Sequence, residues 1–187
     1  MARAGLNPGV VVAEAAALAD EIGLDRLTLT AVADRFGVAP PSLYKHVAGN
    51  DGLRQALAVA GADALADALA EAAVGRAGAD ALRAVAHAYR AFAHARPGLY
   101  SASLRAPDPT DPDHRLAADR ALAVVTAVLR GYGIVETDAV VDAARTVRAG
   151  LHGFVALEAA GGFGLPRAVD RSYERLVDGL DTALRAW

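Results

Sequence analysis

The sequence contains no cysteine, which excludes disulfide bridges and thiolate metal sites and fits a reducing cytoplasm. No stretch of strand-favouring residues shows clear alternation, so sheet structure is not expected. Asp, Glu or Arg interrupts every apolar run before it could span a bilayer. The N-terminus lacks a charged start followed by an apolar core and a cleavage site, so no signal peptide is expected. There is no internal repeat and no low-complexity tail. An excess of positive charge is also missing. The net charge is -3, and residues 1–55 hold Arg3, Arg26, Arg35, Lys45 and Arg54 against Glu14, Asp20, Glu21, Asp25, Asp34 and Asp51. A broad basic field for nucleic acid is therefore excluded. No general acid/base pair, nucleophile constellation or metal set is visible. His87 and His94 lie two helical turns apart, about 10.5 Å along an axis and too far for one ion, and share a face with Arg83 and Arg90 that reads as solvated.

What is present is alanine, leucine and valine in helical spacing, over a length of 187 residues that can hold one domain or a small and a larger one. The expected fold is all-α, with about nine helices: an N-terminal three-helix head over residues 1–50 and a C-terminal bundle over 51–187. The chain is organised around Thr28 to Val47, TLTAVADRFGVAPPSLYKHV. Leu29, Val32, Ala33 and Phe36 place one apolar face on a two-turn helix with Thr28 as its N-cap. Gly37 supplies the stop. Pro40 and Pro41 suit the first turn of a second helix running to Val47, which directs Leu43 and Val47 inward and carries Ser42, Tyr44, Lys45 and His46. Helix, glycine turn and polar second helix have the form of a helix-turn-helix DNA reader. Its affinity would rest on a few placed donors and helix N-termini.

Asn7-Pro8 opens the preceding helix, whose inward stripe is Val11, Ala15, Leu18 and Ile22, and Gly23 closes it. Asn50 or Asp51 caps a long alanine-rich helix over about 52–74, a mechanical link between head and bundle. Asp80 caps a helix over 81–96, and Pro97 starts a short segment through Leu104. RAPDPTDP over 105–112 reads as an exposed loop. A helix over 113–130 has Leu116, Leu122, Val125 and Leu129 as core candidates. The next, over 137–160, has a seam of Thr146, Gly150, Gly153 and Leu157. Glycine inside a helix costs roughly 1 kcal/mol against alanine, so a close helix crossing is expected there. Pro166 opens the last helix, with Val169, Tyr173, Leu176, Val177, Leu180 and Leu184 on one face.

Residues 6–66 resemble the N-terminal domain of the tetracycline-repressor (TetR) family of transcriptional regulators. The likeness rests on the first helix ending at Gly23, Leu27-Thr28, Val32-Ala33, Phe36-Gly37-Val38, Leu43-Tyr44-Lys45-His46-Val47 and Asp51-Gly52-Leu53. The resemblance implies an all-helical, dimeric regulator whose C-terminal part binds a small molecule, with double-stranded operator DNA as partner, no cofactor and no metal. It places Pro40, Pro41 and Ser42 at base-reading positions, Tyr44, Lys45 and His46 at phosphates and base edges, and Thr28 and Thr30 where a phosphate is held. Asn50 stands where the family often has lysine, and Ala39 where many members have a serine cap. Residues 147–165 resemble a subgroup with a Trp-His-Gly signature, Leu151 replacing the Trp before His152-Gly153. This implies dimerisation through the last two helices, with Thr146, Gly150, Gly153, Leu157, Tyr173, Leu176, Leu180 and Leu184 as interface.

Tyr89, Phe92 and Tyr100 read either as core or as the lining of a ligand pocket. His152 either lines that pocket or bonds a carbonyl at a helix crossing. Glu158, on an apolar stripe, requires a partner, across a dimer axis or at a pocket rim. The expectation is a cytoplasmic, homodimeric, ligand-responsive repressor of a palindromic operator. The alternatives are a helical protein-interaction module or a small helical enzyme without DNA binding.

Overall fold

The computed structural model describes residues 5–187. Among them are eight α-helices, two 3-10 turns and no strand, as the all-α reading requires. α1 spans Pro8–Ile22, α2 Leu29–Phe36, α3 Gly49–Ala73 and α4 Gly78–Ala95. α5 spans Pro97–Ser103, α6 Pro112–Arg130, α7 Thr137–Ala159 and α8 Val169–Arg185. The expected ninth helix, Pro40 to Val47, is instead a 3-10 turn over Pro40–Ser42 followed by turns. Two consecutive prolines supply no donors, and Leu43 N–H bonds back three residues to the Pro40 carbonyl rather than four.

Local chemistry sets the first helices where the sequence places them. Asn7 Oδ1 accepts from Val10 N–H, and Pro8 occupies the first turn of α1. Thr28 Oγ1 accepts from Ala31 N–H at the start of α2, and Gly37, at φ 65°, closes it. α3 begins at Gly49, so Asn50 and Asp51 lie inside its first turn rather than capping it.

The chain forms two compact units. The first comprises the described residues up to Leu65 together with Ala95–Ala118; the second comprises Ala66–His94 and Asp119–Trp187. α3 and α6 each run from one unit into the other. The first unit's core is Val11, Ala15 and Ala19 of α1, Val32 and Ala33 of α2, Leu43, and Leu53 and Leu57 of α3. Each fully buried leucine contributes about 1.5–3 kcal/mol. α5 packs on α1 in this unit.

In the second unit Leu82, Val85, Tyr89 and Phe92 of α4 are buried, as are Val147, Leu151 and Val155 of α7 and Tyr173, Val177, Leu180 and Leu184 of α8. The face of α4 opposite its apolar stripe is not simply solvated. Arg83 pairs with Asp178 (3.2 Å), His87 meets Glu174 (3.2 Å) and Arg90 pairs with Glu158 (2.5 Å) and Asp170 (2.8 Å). His94 meets the same Glu158 at 2.9 Å. The Arg/His row of α4 thus runs along carboxylates of α8 and the end of α7, a match that single-helix periodicity does not carry.

α6 departs from expectation. Leu129 is buried, but Leu116 is 63% exposed and Leu122 faces outward; Ala117 and Val128 point inward in their place. The buried stripe begins at His114, which hydropathy does not mark as inward. Its Nδ1 accepts from Asp108 N–H (3.3 Å) and lies 3.1 Å from Gln55 Nε2 of α3.

Candidate nucleic-acid interface

The segment after α2 is anchored by two apolar side chains and exposes what lies between them. Leu43 is fully buried (0% exposed) and Val47 nearly so, while Tyr44 is 60% exposed and Lys45 is also exposed. The backbone is held by Ser42 N–H to Ala39 O (2.9 Å), His46 N–H to Leu43 O (2.8 Å) and Val47 N–H to Leu43 O (3.1 Å). This single helical turn is fastened underneath and presents a phenol and an ammonium above. Thr28, Thr30 and Pro41 are exposed; Pro40, Ser42 and His46 are half-buried. His46 Nε2 is enclosed without a hydrogen-bond partner, so a DNA contact from this ring must come through Nδ1.

The N-terminus of α2 has one amide to spare. Leu29 N–H donates to Asn50 Oδ1 (2.9 Å), Ala31 N–H to Thr28 Oγ1 (3.1 Å) and Val32 N–H to Thr28 O (3.1 Å), which leaves that of Thr30. Asn50 is a residue whose role sequence reasoning placed elsewhere. Its carbonyl fixes α2 from the first turn of α3, while its amide Nδ2 makes no bond among the described residues. A contact spanning 21 residues leaves no local sequence signal.

The charge of Arg35 is taken up by two carboxylates. Arg35 Nε bonds Glu14 (2.8 Å), and its two terminal nitrogens grip Glu21 at 2.7 and 2.6 Å, tying α2 to α1. The hydrogen bond from Arg35 chiefly holds the Glu21 carboxyl below the usual carboxylate range. Lys45 has no acidic partner among the described residues.

The ligand-pocket candidates fall on both units. Tyr100 belongs to the first unit; Tyr89, Phe92, His152 and Glu158 belong to the second. Tyr89 and Phe92 are buried and His152 is half-buried. An open depression of about 360 Å³ in the second unit is lined by other residues, among them Tyr132, Val135, Glu136, Arg185 and Trp187. Burial, then the hydrogen bond to Asp181 (2.6 Å), pushes the Tyr132 hydroxyl up from its ordinary range. Among the described residues no group of three or more His, Asp or Glu is placed to hold a metal.

Glu158 finds its partners inside its own chain. Its side chain, like that of Arg90, is 16% exposed, and Arg90 also lies over the Tyr173 ring at 4.8 Å. Hydrogen bonding from Arg90 lowers the Glu158 carboxyl below its ordinary value of 4.5, burial opposes this, and the charge of Arg90 and the bond from His94 add to the lowering. A carboxylate with a depressed folded-state value stabilises above its unfolded pKa, and that contribution is lost as pH falls through the folded value. Glu158→Gln is therefore expected to cost about 1–2 kcal/mol at neutral pH. It should also flatten the decline in melting temperature between about pH 5 and pH 3, measured by calorimetry on both proteins. An equally steep decline in the variant would remove Glu158 as its source.

The interface candidates separate in the same way. Tyr173 (0% exposed), Leu180 and Leu184 are buried within the chain, so they belong to its core rather than to a surface for a second copy. The Tyr173 hydroxyl donates to the Ala86 carbonyl at 2.5 Å. Leu176, Gly150 and Gly153 are half-buried; Thr146 and Leu157 are exposed. Within the chain the glycine seam makes no forced crossing. A Cβ on Gly150 would meet Leu176 and Leu180 methyls at 3.5–3.7 Å, ordinary contact, and one on Gly153 would meet nothing within 4 Å.

A compact all-helical head with an anchored, outward-facing Tyr-Lys turn defines a helix-turn-helix DNA-binding regulator. The family models agree. Residues 11–57 match that described as bacterial regulatory proteins, tetR family, and residues 82–180 match the tetracyclin repressor-like C-terminal domain. The chain belongs to the tetR family of transcriptional regulators. It is 35% identical over 161 residues to the uncharacterized HTH-type transcriptional regulator YobS of Bacillus subtilis (strain 168), covering 86% of this chain and 83% of that one. It is 39% identical over 159 residues to the uncharacterized HTH-type transcriptional regulator Rv0681 of Mycobacterium tuberculosis (strain ATCC 25618 / H37Rv), covering 84% and 72%. Among solved structures, a protein with unknown function from Rhodococcus sp. RHA1 superposes with a TM-score of 0.78 at 26% identity, over 97% of this chain and 96% of that one.

Proposed function

We propose that two copies of this regulator bind a palindromic operator, each placing the Pro40–Val47 turn in a major groove, and that a small molecule bound by the C-terminal helices releases them. The exposed Tyr44-Lys45 pair on buried Leu43 and Val47 carries this reading, because nothing in the packing of the head requires a phenol there. Residues 1–50 read DNA, and residues 51–187 bind the effector and the second subunit. Pro40, Pro41 and Ser42 face base edges. Tyr44, Lys45 and His46 Nδ1 reach phosphates and bases, and Thr28, Thr30 and the Asn50 amide hold a further phosphate. The outer side of α7, with Thr146, Gly153 and Leu157, forms the subunit contact. His152-Gly153 supports kinship with the Trp-His-Gly subgroup. The effector enters beside Tyr89 and Phe92 of α4, with His152 and Glu158 of the same unit as polar contacts. It acts to the extent that it binds one subunit arrangement better than the other. No helix among the described residues is long and apolar enough to cross a membrane, and the place of action is the cytoplasm.

Selection from a random duplex library tests the reading. It should enrich a palindrome with half-site centres about 34–36 Å apart, or near a multiple of that spacing. Recovery of no palindrome would refute it.

A further inference from the structure

The second unit carries a concavity that none of Tyr89, Phe92, His152 and Glu158 lines. It is the depression of about 360 Å³ between the α6–α7 connection, the first turn of α7 and the end of α8. Small-molecule sites run from roughly 300 to 1,000 Å³, so its size suits a compact ligand.

Its walls are fixed by backbone bonds and by one carboxylate. Gly133, at φ 81°, turns the chain out of α6, and the N–H groups of Gly133 and Ile134 donate back to Arg130 O (3.0 Å) and Leu129 O (3.2 Å). Asp181 of α8 accepts the Tyr132 hydroxyl on Oδ1 (2.6 Å) and Arg185 Nε on Oδ2 (3.0 Å). One carboxylate thus ties the connection to α8 and holds the guanidinium in place, so the shape does not wait for a ligand.

The lining divides into an apolar part and one open cation. Ile134 and Leu184 are buried beneath the depression, whereas Val135 and Trp187 are exposed. An exposed indole beside an exposed valine offers apolar surface to an aromatic ring. With Nε committed to Asp181, the two terminal nitrogens of Arg185 make no hydrogen bond among the described residues. They keep the paired donors that suit a carboxylate. The acidic side chain of the lining, Glu136, is engaged by α7. Its Oε2 accepts Ala139 N–H (2.9 Å), and bonds from the first amides of that helix hold the carboxyl below its ordinary range. A second negative charge on a ligand would meet Glu136, so a single carboxylate fits best.

We propose that this depression binds a small aromatic monocarboxylate, its ring against Trp187 and Val135 and its carboxylate on the terminal nitrogens of Arg185. Every residue of the site belongs to the second unit, and binding there requires neither operator nor the effector site beside Tyr89 and Phe92.

Trp187 is the chain's only tryptophan, so its emission reports on this site alone. The probe is 3-phenylpropionate, which is transparent where indole is excited, and its uncharged amide is the control. The full chain without DNA should show a saturable change in Trp187 emission with the acid, and calorimetry should return the same affinity. The amide should bind about tenfold more weakly, the scale of a charge-assisted hydrogen bond. Arg185→Gln, at a side chain 62% exposed, should weaken the acid by about tenfold, leave the amide within about twofold and keep the melting temperature. Should that variant prove unstable, the acid–amide comparison on the wild-type chain decides. Equal affinity for acid and amide, full affinity for the acid in a stable Arg185→Gln, or no saturable change up to millimolar acid overturns the site. A binding heat without a change in Trp187 emission places the ligand elsewhere and does the same. None of these outcomes bears on operator binding, which the duplex selection tests separately.

Discussion

Tyr44→Ala is expected to abolish operator binding and leave thermal unfolding and oligomeric state unchanged. The side chain is 60% exposed, and the turn beneath it is anchored by Leu43 and Val47, so truncation opens no cavity. Surface substitutions of this kind stay within about 0.5 kcal/mol. A DNA contact is worth about 1–3 kcal/mol and is lost twice in a symmetric dimer, so about 2–6 kcal/mol of binding disappears. That is a weakening of roughly 30-fold to more than 10⁴-fold. Anisotropy titration of a labelled operator beside a melting curve reads both quantities. A variant that melts early places the phenol in the core; one that binds at full strength removes it from the interface. Leu43→Ala makes the contrast, since that side chain is fully buried and its loss would act through folding.

Tyr173→Ala should have the largest effect on stability. The residue is fully enclosed, its hydroxyl reaches the Ala86 carbonyl, its ring meets Phe154 at 5.1 Å between centroids, and Arg90 lies over its face. Removing a buried aromatic side chain costs about 3–5 kcal/mol, a fall on the order of 10 °C for a chain of this size. Tyr173→Phe should cost only about 1 kcal/mol. Denaturation curves and sedimentation of both variants separate this from an interface role. An interface residue would yield stable monomers, whereas the expected result is early unfolding of the second unit.

Tyr173 also shows where reading the chain alone falls short. Helical spacing assigned it correctly to the apolar face of the last helix. Spacing does not say what covers that face, and the cover is α4 of the same chain rather than a second copy. The same limit hid the pairing of Arg83, His87, Arg90 and His94 with carboxylates far along the sequence. In α6 it favoured Leu116 over Ala117, because the stripe is set by a histidine whose partners lie on another helix and a loop. The N-terminal elements were more legible, since Asn7-Pro8, Thr28 and Gly37 act on backbone within a few residues. Even there, the proline pair at 40–41 shortened the expected recognition helix to one turn, and the hold of Asn50 on α2 lay beyond local rules. The outward Tyr44 over inward Leu43 and Val47 was legible through residue type and order, whereas Tyr89 and Phe92 look alike as core and as lining.

Arg35 spends its charge on Glu14 and Glu21, and this bears on how the regulator finds its target. Sequence-independent adhesion to DNA comes almost wholly from cations that displace counterions. With Arg35 paired, Lys45, Arg26 and Arg54 are the cations of the head without a carboxylate partner among the described residues. Three such cations are expected to give only a shallow salt dependence on random duplex, so that retention at a specific site would rest on both turns meeting their bases at once.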